Sequence, residues 1–160
     1  MSVSIGVESP LTDEMRELIA DLNAALLALT PTEHCYHMSV EEMAGPATSV
    51  FVARDDGRAI GCGALRRHPA GIGEVKRMFT RPEAQGRGIG GLILAGIEAL
   101  ARREGLLRLV LETGHRHPAA WRVYERAGFV RCAAVLDYPE TEYSVFYEKP
   151  LNPKLEENSP

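Results

Sequence analysis

Apolar residues recur along this chain in two periods, and each change of period marks a boundary between elements. Val3, Ile5 and Val7 alternate with polar or small neighbours from Ser2 to Val7, which predicts a short first strand. Met15, Leu18, Ile19, Leu22, Leu26 and Leu29 then recur at three- and four-residue spacing, so a helix is expected from Thr12 to about Leu29. Thr12 is its expected N-cap, with Met15 where a full capping box would need Glu, and Asp13 and Glu14 suit the positive helix start. Thr30 to His37 has no period and reads as a loop. Ser39 to Met43 predicts a second, short helix, with Ser39 and Glu42 at capping-box spacing and Gly45-Pro46 as its stop.

Thr48 to Arg54 and Ala59 to Leu65 read as two antiparallel strands around the hairpin turn Asp55-Asp56-Gly57-Arg58. Gly61 and Gly63 leave one face of the second strand bare, where a bulge is the expected reason and a close ligand the alternative. After a turn at His68 to Gly71, Glu74 to Thr80 alternates as a strand. A polar turn from Arg81 to Gln85 follows, then glycines at 86, 88, 90 and 91. Ile89, Leu92, Ile93, Gly96, Ile97 and Leu100 form the apolar stripe of the next helix, which Arg102, Arg103 and Gly105 close. Leu106 to Leu111 reads as a buried strand and completes a β-α-β unit, so parallel pairing with the Glu74 strand is expected. Pro118 to Ala127 predicts a helix between Pro and Gly128. Phe129 to Val135 and Tyr143 to Glu148 predict an antiparallel strand pair, and 152–160 a fraying polar tail. The result is a single domain over 1–151 of α/β type with a mixed sheet.

Composition narrows the function classes. With 160 residues, 45% hydrophobic and 25% charged, the chain has room for one ordinary globular core. A net charge of -4 with only short arginine pairs gives no basic surface, so no nucleic-acid partner is expected. No apolar run of about 18 residues and no leader pattern are present, so no membrane partner and a cytoplasmic location are expected. Cys35, Cys62 and Cys132 form no C-x-x-C and read as reduced thiols. His34, Cys35 and His37, or His115 and His117, lack the further ligands of a metal site, so no metal is expected.

The glycine cluster carries the candidate chemistry. Glycines on the threshold of a helix make a cradle of unpaired N–H groups that favours an anion such as phosphate. A P-loop would need Lys-Ser or Lys-Thr after the glycines, and neither is present. Gly86, Gly88 and Gly91 spell a dinucleotide fingerprint with Glu112 as its acid, yet the strand before it carries Glu74, Lys76 and Arg77, unlike a doubly covered parallel strand. Gln85-Gly86-Arg87-Gly88-Ile89-Gly90 fits Q/R-x-x-G-x-G/A, the signature of the GNAT superfamily of N-acetyltransferases. Ala120 to Phe129 resembles that family's A-x-x-x-Y-E-x-x-G-F segment. Two motifs in this order are more specific than either alone. The whole chain also resembles a bacterial subgroup often labelled indole-3-acetic acid acetyltransferase, although that acid presents no amine.

The resemblance implies a GNAT-like acyl-CoA N-acyltransferase fold: a mostly antiparallel sheet with one parallel pair at the coenzyme site, flanked by about four helices. It implies acetyl-CoA as cosubstrate and a primary amine of a small molecule or peptide as acceptor, with a homodimer left open. Acetyl-CoA would lie along Met78, Phe79 and Thr80, on the backbone of Gln85, Gly86, Arg87, Gly88, Ile89, Gly90 and Gly91, and beside His117, Ala120 and Trp121. His117 departs from the family, where Asn is common three residues before the Ala. Tyr124 matches the family's general acid, and a strand irregularity near Met78 would supply an oxyanion donor. Glu74, early on the strand that feeds the cradle, suits a general base, and the alternative is a glutamate facing solvent. Glu33, His34, Glu112 and Thr113 are candidates for the acceptor side. A non-catalytic acyl-CoA sensor and, behind it, a dinucleotide-dependent oxidoreductase are the rival readings.

Overall fold

The computed structural model describes residues 2–31, 33 and 38–151. His34, Cys35, His37 and the tail at 152–160 therefore lie outside the described residues. Among the described residues seven strands form one sheet: β1 (Val3–Val7), β2 (Thr48–Asp55), β3 (Arg58–His68), β4 (Ile72–Thr80), β5 (Arg108–Gly114), β6 (Val130–Cys132) and β7 (Ser144–Pro150). Among the same residues four α-helices flank it: α1 (Asp13–Leu27), α2 (Val40–Met43), α3 (Ile89–Arg103) and α4 (Pro118–Arg126). The strand order is β1-β2-β3-β4-β5-β7-β6, and of these neighbours only β4 and β5 run parallel. A doubly wound dinucleotide fold needs a mostly parallel sheet, so that rival reading is set aside.

Local chemistry accounts for most of the boundaries. The Thr12 hydroxyl accepts a hydrogen bond from the Met15 N–H at 3.2 Å, and Ser39 with Glu42 forms a complete capping box. Asp56 and Gly57 both have positive φ, 48° and 87°, the conformation that lets a two-residue hairpin turn follow the twist of its strands. Two expected strands move. The Leu106 N–H closes the end of α3 on the Ala101 carbonyl and Leu107 is 52% exposed, so β5 starts at Arg108 and runs on to Gly114. Phe129 is taken up by the exit of α4, where its N–H bonds to the Tyr124 carbonyl, and β6 is only Val130–Cys132. Val135 lies in a small cluster with Val110 and Phe146 instead of extending the strand.

The core lies on both faces of the sheet. Ile89, Ile93 and Ile97 of α3 pack with Leu65, Val75, Leu109, Leu111 and Tyr147, whereas Met15, Leu18 and Leu22 of α1 pack with Val50, Val52, Cys62 and Ala64. Between them the β3–β4 ladder slips. Cys62 pairs with Phe79 and Ala64 with Lys76, so Gly63 faces two residues, Arg77 and Met78. Arg77 has φ of 56°. The irregularity expected at Gly61 and Gly63 is thus a β-bulge with the extra residue on β4. Gly63 makes it possible: a Cβ there would lie 2.4 Å from the Met78 sulfur and 2.7 Å from Ile93. A bulge bends its strand. Parallel pairing of β4 with β5 ends at Glu74 and Val110, and the sheet splits beyond them.

Candidate active site

The split holds a cleft of about 100 Å³. Residues 74–78 of β4 form one wall and Glu112, Thr113 and Gly114 of β5 the other, with Tyr124 of α4 and His117 at its start. Leu22 and Leu26 of α1, Thr30 and Tyr143 line the remainder.

Glu74 is 2% exposed, so it is not the solvent-facing strand residue that the alternation of β4 allowed. Its Oε1 is 2.8 Å from Nε2 of His68, and its Oε2 accepts from Nζ of Lys76 at 3.2 Å and from the Tyr138 hydroxyl at 2.5 Å. Lys76 also donates to that hydroxyl at 2.6 Å. Burial pushes the Tyr138 phenol upward, and the Glu74 carboxylate beside it adds to the shift, so this hydroxyl stays a donor. His68 is half-buried and links the buried carboxylate to the outside.

Tyr124 is 6% exposed, with its ring against Phe129 and Tyr147. Burial, followed by the nearby Glu112 charge, raises its pKa well above the usual phenol value. Glu112 is raised in turn, chiefly by burial, and accepts from the Ser144 hydroxyl at 2.7 Å. The His117 ring packs on Gly114, where a Cβ would lie 2.2 Å from the imidazole. Its Nε2 is buried with no partner among the described residues, and burial followed by the His115 charge lowers its pKa, so the ring favours the neutral form and brings one unmet polar atom to the cleft.

The glycine turn lies further along. Pro82–Ala84 form a short 3-10 turn, the Gln85 amide donates to the Thr80 carbonyl at 3.3 Å, and Arg87 pairs with Asp55 at 2.8 Å. Gly86 and Gly88 have φ of 82° and 76°, and space is open where their Cβ atoms would be. Gly88 is the N-cap of α3 and brings no side chain to the first-turn N–H groups. Those groups therefore remain available to an anion. With the unmet Nε2 of His117, this backbone cradle fits the pyrophosphate and amide chain of coenzyme A.

Arg77 is the unexpected member of the site. It is 7% exposed and lines the cleft, where its guanidinium donates to Oδ1 of Asn23 on α1. Its Nε has no partner among the described residues, and burial lowers its pKa.

Glu74, Met78, Glu112, Thr113, His117 and Tyr124 are thus brought together, as the sequence expects. Phe79 packs instead with the α1-side core. Ala120 and Trp121 support the cleft from α4, where the indole N–H of Trp121 donates to the Gly114 carbonyl at 3.0 Å. Glu33 is exposed and is not among the lining residues, and His34 lies outside the described ones. Lys76, Arg77, Tyr138 and Tyr143 belong to no site motif in the sequence and join the site only through the fold. For Lys76 the i+2 spacing from Glu74 was an available signal, since it places both on one strand face, whereas Tyr138 arrives from a distant loop.

A mostly antiparallel sheet split at one parallel pair, with a glycine-capped helix beside the split, defines an acyl-CoA-dependent transferase. The profile of the Acetyltransferase (GNAT) family matches residues 13–129, and the chain belongs to that family. It is 39% identical over 151 residues to an IAA acetyltransferase of Azospirillum brasilense, covering 94% of this chain and 99% of the relative. Among solved structures, a Klebsiella pneumoniae protein classed with the acyl-CoA N-acyltransferases superposes with a TM-score of 0.79 at 33% identity, over 93% of this chain and 97% of that one. A PaiA N-acetyltransferase from Thermoplasma acidophilum, solved with coenzyme A, shares the fold with a TM-score of 0.73 at 20% identity, over 94% and 99% of the two chains. The protein is an acetyl-CoA-dependent N-acetyltransferase. Among its described residues no helix is long and apolar enough to cross a membrane.

Proposed function

We propose that this enzyme moves an acetyl group to the primary amine of a small molecule or peptide in a ternary complex, with Glu74 and Tyr124 as its acid-base pair. The observation that carries this reading is their meeting in one cleft where β4 and β5 part. Acetyl-CoA brings an activated thioester, and the protein supplies alignment and proton traffic. The signature backbone from Gln85 to Gly91 holds the pyrophosphate, and His117 meets the pantetheine arm with its Nε2, which has no partner among the described residues.

Glu74 removes the proton from the acceptor ammonium, directly or through water, and His68 offers a way out to solvent. Arg77 and Met78 lie outside both strand ladders, so the Met78 N–H is the assigned donor to the carbonyl oxygen as charge develops there. Tyr124 gives its proton to the departing thiolate. Its raised pKa keeps the proton in place at neutral pH, and the same buried surroundings raise the thiolate, so donor and acceptor shift together.

The name of the Azospirillum relative points to indole-3-acetic acid. That compound has a carboxylate and no amine, so we assign it no acceptor role. In the test, coenzyme A raises the melting temperature and NADH does not, because a ligand that binds only the native state stabilises it. Thiol release from acetyl-CoA is then followed across amino acids, polyamines, aminoglycosides and peptides. Tight coenzyme binding without release on any amine would favour a sensor over an enzyme with this acceptor class.

A further inference from the structure

The geometry points to an acceptor that carries an anionic group, a carboxylate in the first instance, bound by Arg77 beside the reacting amine. This rests on the acyl-transfer reading above and narrows its substrate class. A buried cation without a counter-charge is costly, and proteins rarely keep one unless something pairs with it. Arg77 is 93% buried by the 7% exposure of its residue, yet no carboxylate of a described residue pairs with it. Glu74 is committed to Lys76 and Tyr138, and Glu112 to Ser144. Among the described residues the Arg77 guanidinium has one acceptor, the neutral Asn23 amide oxygen, and its Nε has none.

Cys62, whose thiolate form would favour the Arg77 cation, does not fill the gap. Its thiol is pushed up to about 12 by burial, so it stays neutral, and it is engaged with the Arg77 carbonyl at 3.4 Å. The bulge is what aims this side chain. With φ of 56°, a non-glycine residue holds a strained left-handed backbone conformation, and such strain concentrates at ligand sites. Around it the cleft is apolar on the α1 side, where Leu22 and Leu26 strengthen any charge pairing by excluding water. A planar guanidinium suits a carboxylate or a phosphate through two parallel hydrogen bonds. Arg77 also adjoins Met78 in the chain, so an anion on it lies within one small molecule of the thioester carbonyl that the Met78 N–H is assigned to hold and the amine attacks. An amino acid or a peptide end satisfies both demands, whereas a polyamine satisfies only one.

The test compares α-amino acids with their primary amides, with the amines that lack the carboxylate, and with the matching aminophosphonates. The wild-type enzyme should favour the free carboxylate over the amide by about 10- to 10²-fold in kcat/KM, the size of a charge-assisted hydrogen-bond pair. Arg77→Met should erase that preference through KM while its coenzyme A affinity, read by calorimetry, stays at the wild-type value. Preference for the phosphonate over the carboxylate would assign the same site to phosphorylated amines. Equal use of carboxylates, amides and simple amines by the wild type would overturn the inference and leave the acyl-transfer reading standing. Persistence of the preference in Arg77→Met would overturn it too. If no amine releases thiol, the acyl-transfer reading fails in its acceptor class. Calorimetry of N-acetyl amino acids against their amides on the coenzyme A complex then decides Arg77 separately: tighter binding of the acids supports the inference, and equal binding refutes it. Should Arg77→Met not fold, Arg77→Lys, which keeps charge but loses the planar fork, must weaken the preference.

Discussion

In the proposed mechanism the coenzyme is held by main chain at the glycine turn, and the acceptor meets side chains in the cleft where β4 and β5 part. At Gly86 and Gly88 the working groups are N–H groups exposed by left-handed glycines and an uncapped helix start. In the cleft they are side chains: Glu74, Lys76 and Tyr138 bonded to one another, and the buried Arg77 guanidinium on Asn23. The difference teaches how one fold can keep its cosubstrate and change its acceptor. A backbone cradle depends on glycines and little else, whereas a buried charge network changes meaning with each side chain.

The largest expected effect lies where the two ends meet. Tyr124→Phe keeps the ring against Phe129 and Tyr147 but removes the proton, so turnover should fall by about 10²–10⁴-fold at every pH while folding survives. Glu74→Gln should lose activity chiefly near neutral pH and regain part of it in alkaline solution, where the acceptor amine is already neutral. That variant also leaves the buried Lys76 without its carboxylate, so its melting temperature should drop. Matching pH profiles in the two variants would merge the acid and base roles that this comparison keeps apart.

A smaller effect concerns the hinge between the two ends. Gly63→Ala forces a methyl group against Met78 and Ile93 and should lower stability by about 1–3 kcal/mol, read by denaturant titration. An unchanged midpoint would mean that the bulge yields freely.

The smallest effect belongs to Glu112. Burial raises its folded pKa, so the native state prefers the protonated form; its contribution is fully present below the ordinary carboxylate pKa and is lost as pH rises through the raised one. Glu112→Gln should therefore melt a few degrees above wild type at pH 7, and the gain should disappear on acidification toward pH 4. A variant less stable than wild type at pH 7 would reverse the sign assigned to this group.

The two ends also differ in how far the chain announces them. The cradle is local: glycines at 86, 88, 90 and 91 ahead of an apolar stripe place it without any knowledge of the sheet. The same holds for the hairpin at Asp56-Gly57 and for α3. The acceptor end is non-local. The alternation of β4 allows Glu74 to face water. Its burial depends on Tyr138, 64 positions away, and on Lys76 closing over the same oxygen. Arg77 is harder still, because the extra residue of the bulge turns it out of the strand's alternation, and the only trace in the sequence is the pair of glycines on the neighbouring strand. β5 starts later than the apolar run suggests for a related reason: Leu106 and Leu107 read as strand by composition, but the helix exit and the pairing with β7 decide the frame.

In the proposed mechanism the glycine turn holds the coenzyme and Tyr124 takes part only in the chemistry. One calorimetric titration of coenzyme A into Gly88→Val and Tyr124→Phe tests it. A β-branched residue at φ of 76° is strained by about 1–2 kcal/mol even before it crowds the cradle, so Gly88→Val should lose about tenfold or more in affinity, while Tyr124→Phe binds as wild type. Undiminished affinity in Gly88→Val would remove the coenzyme from the glycine turn and contradict the account.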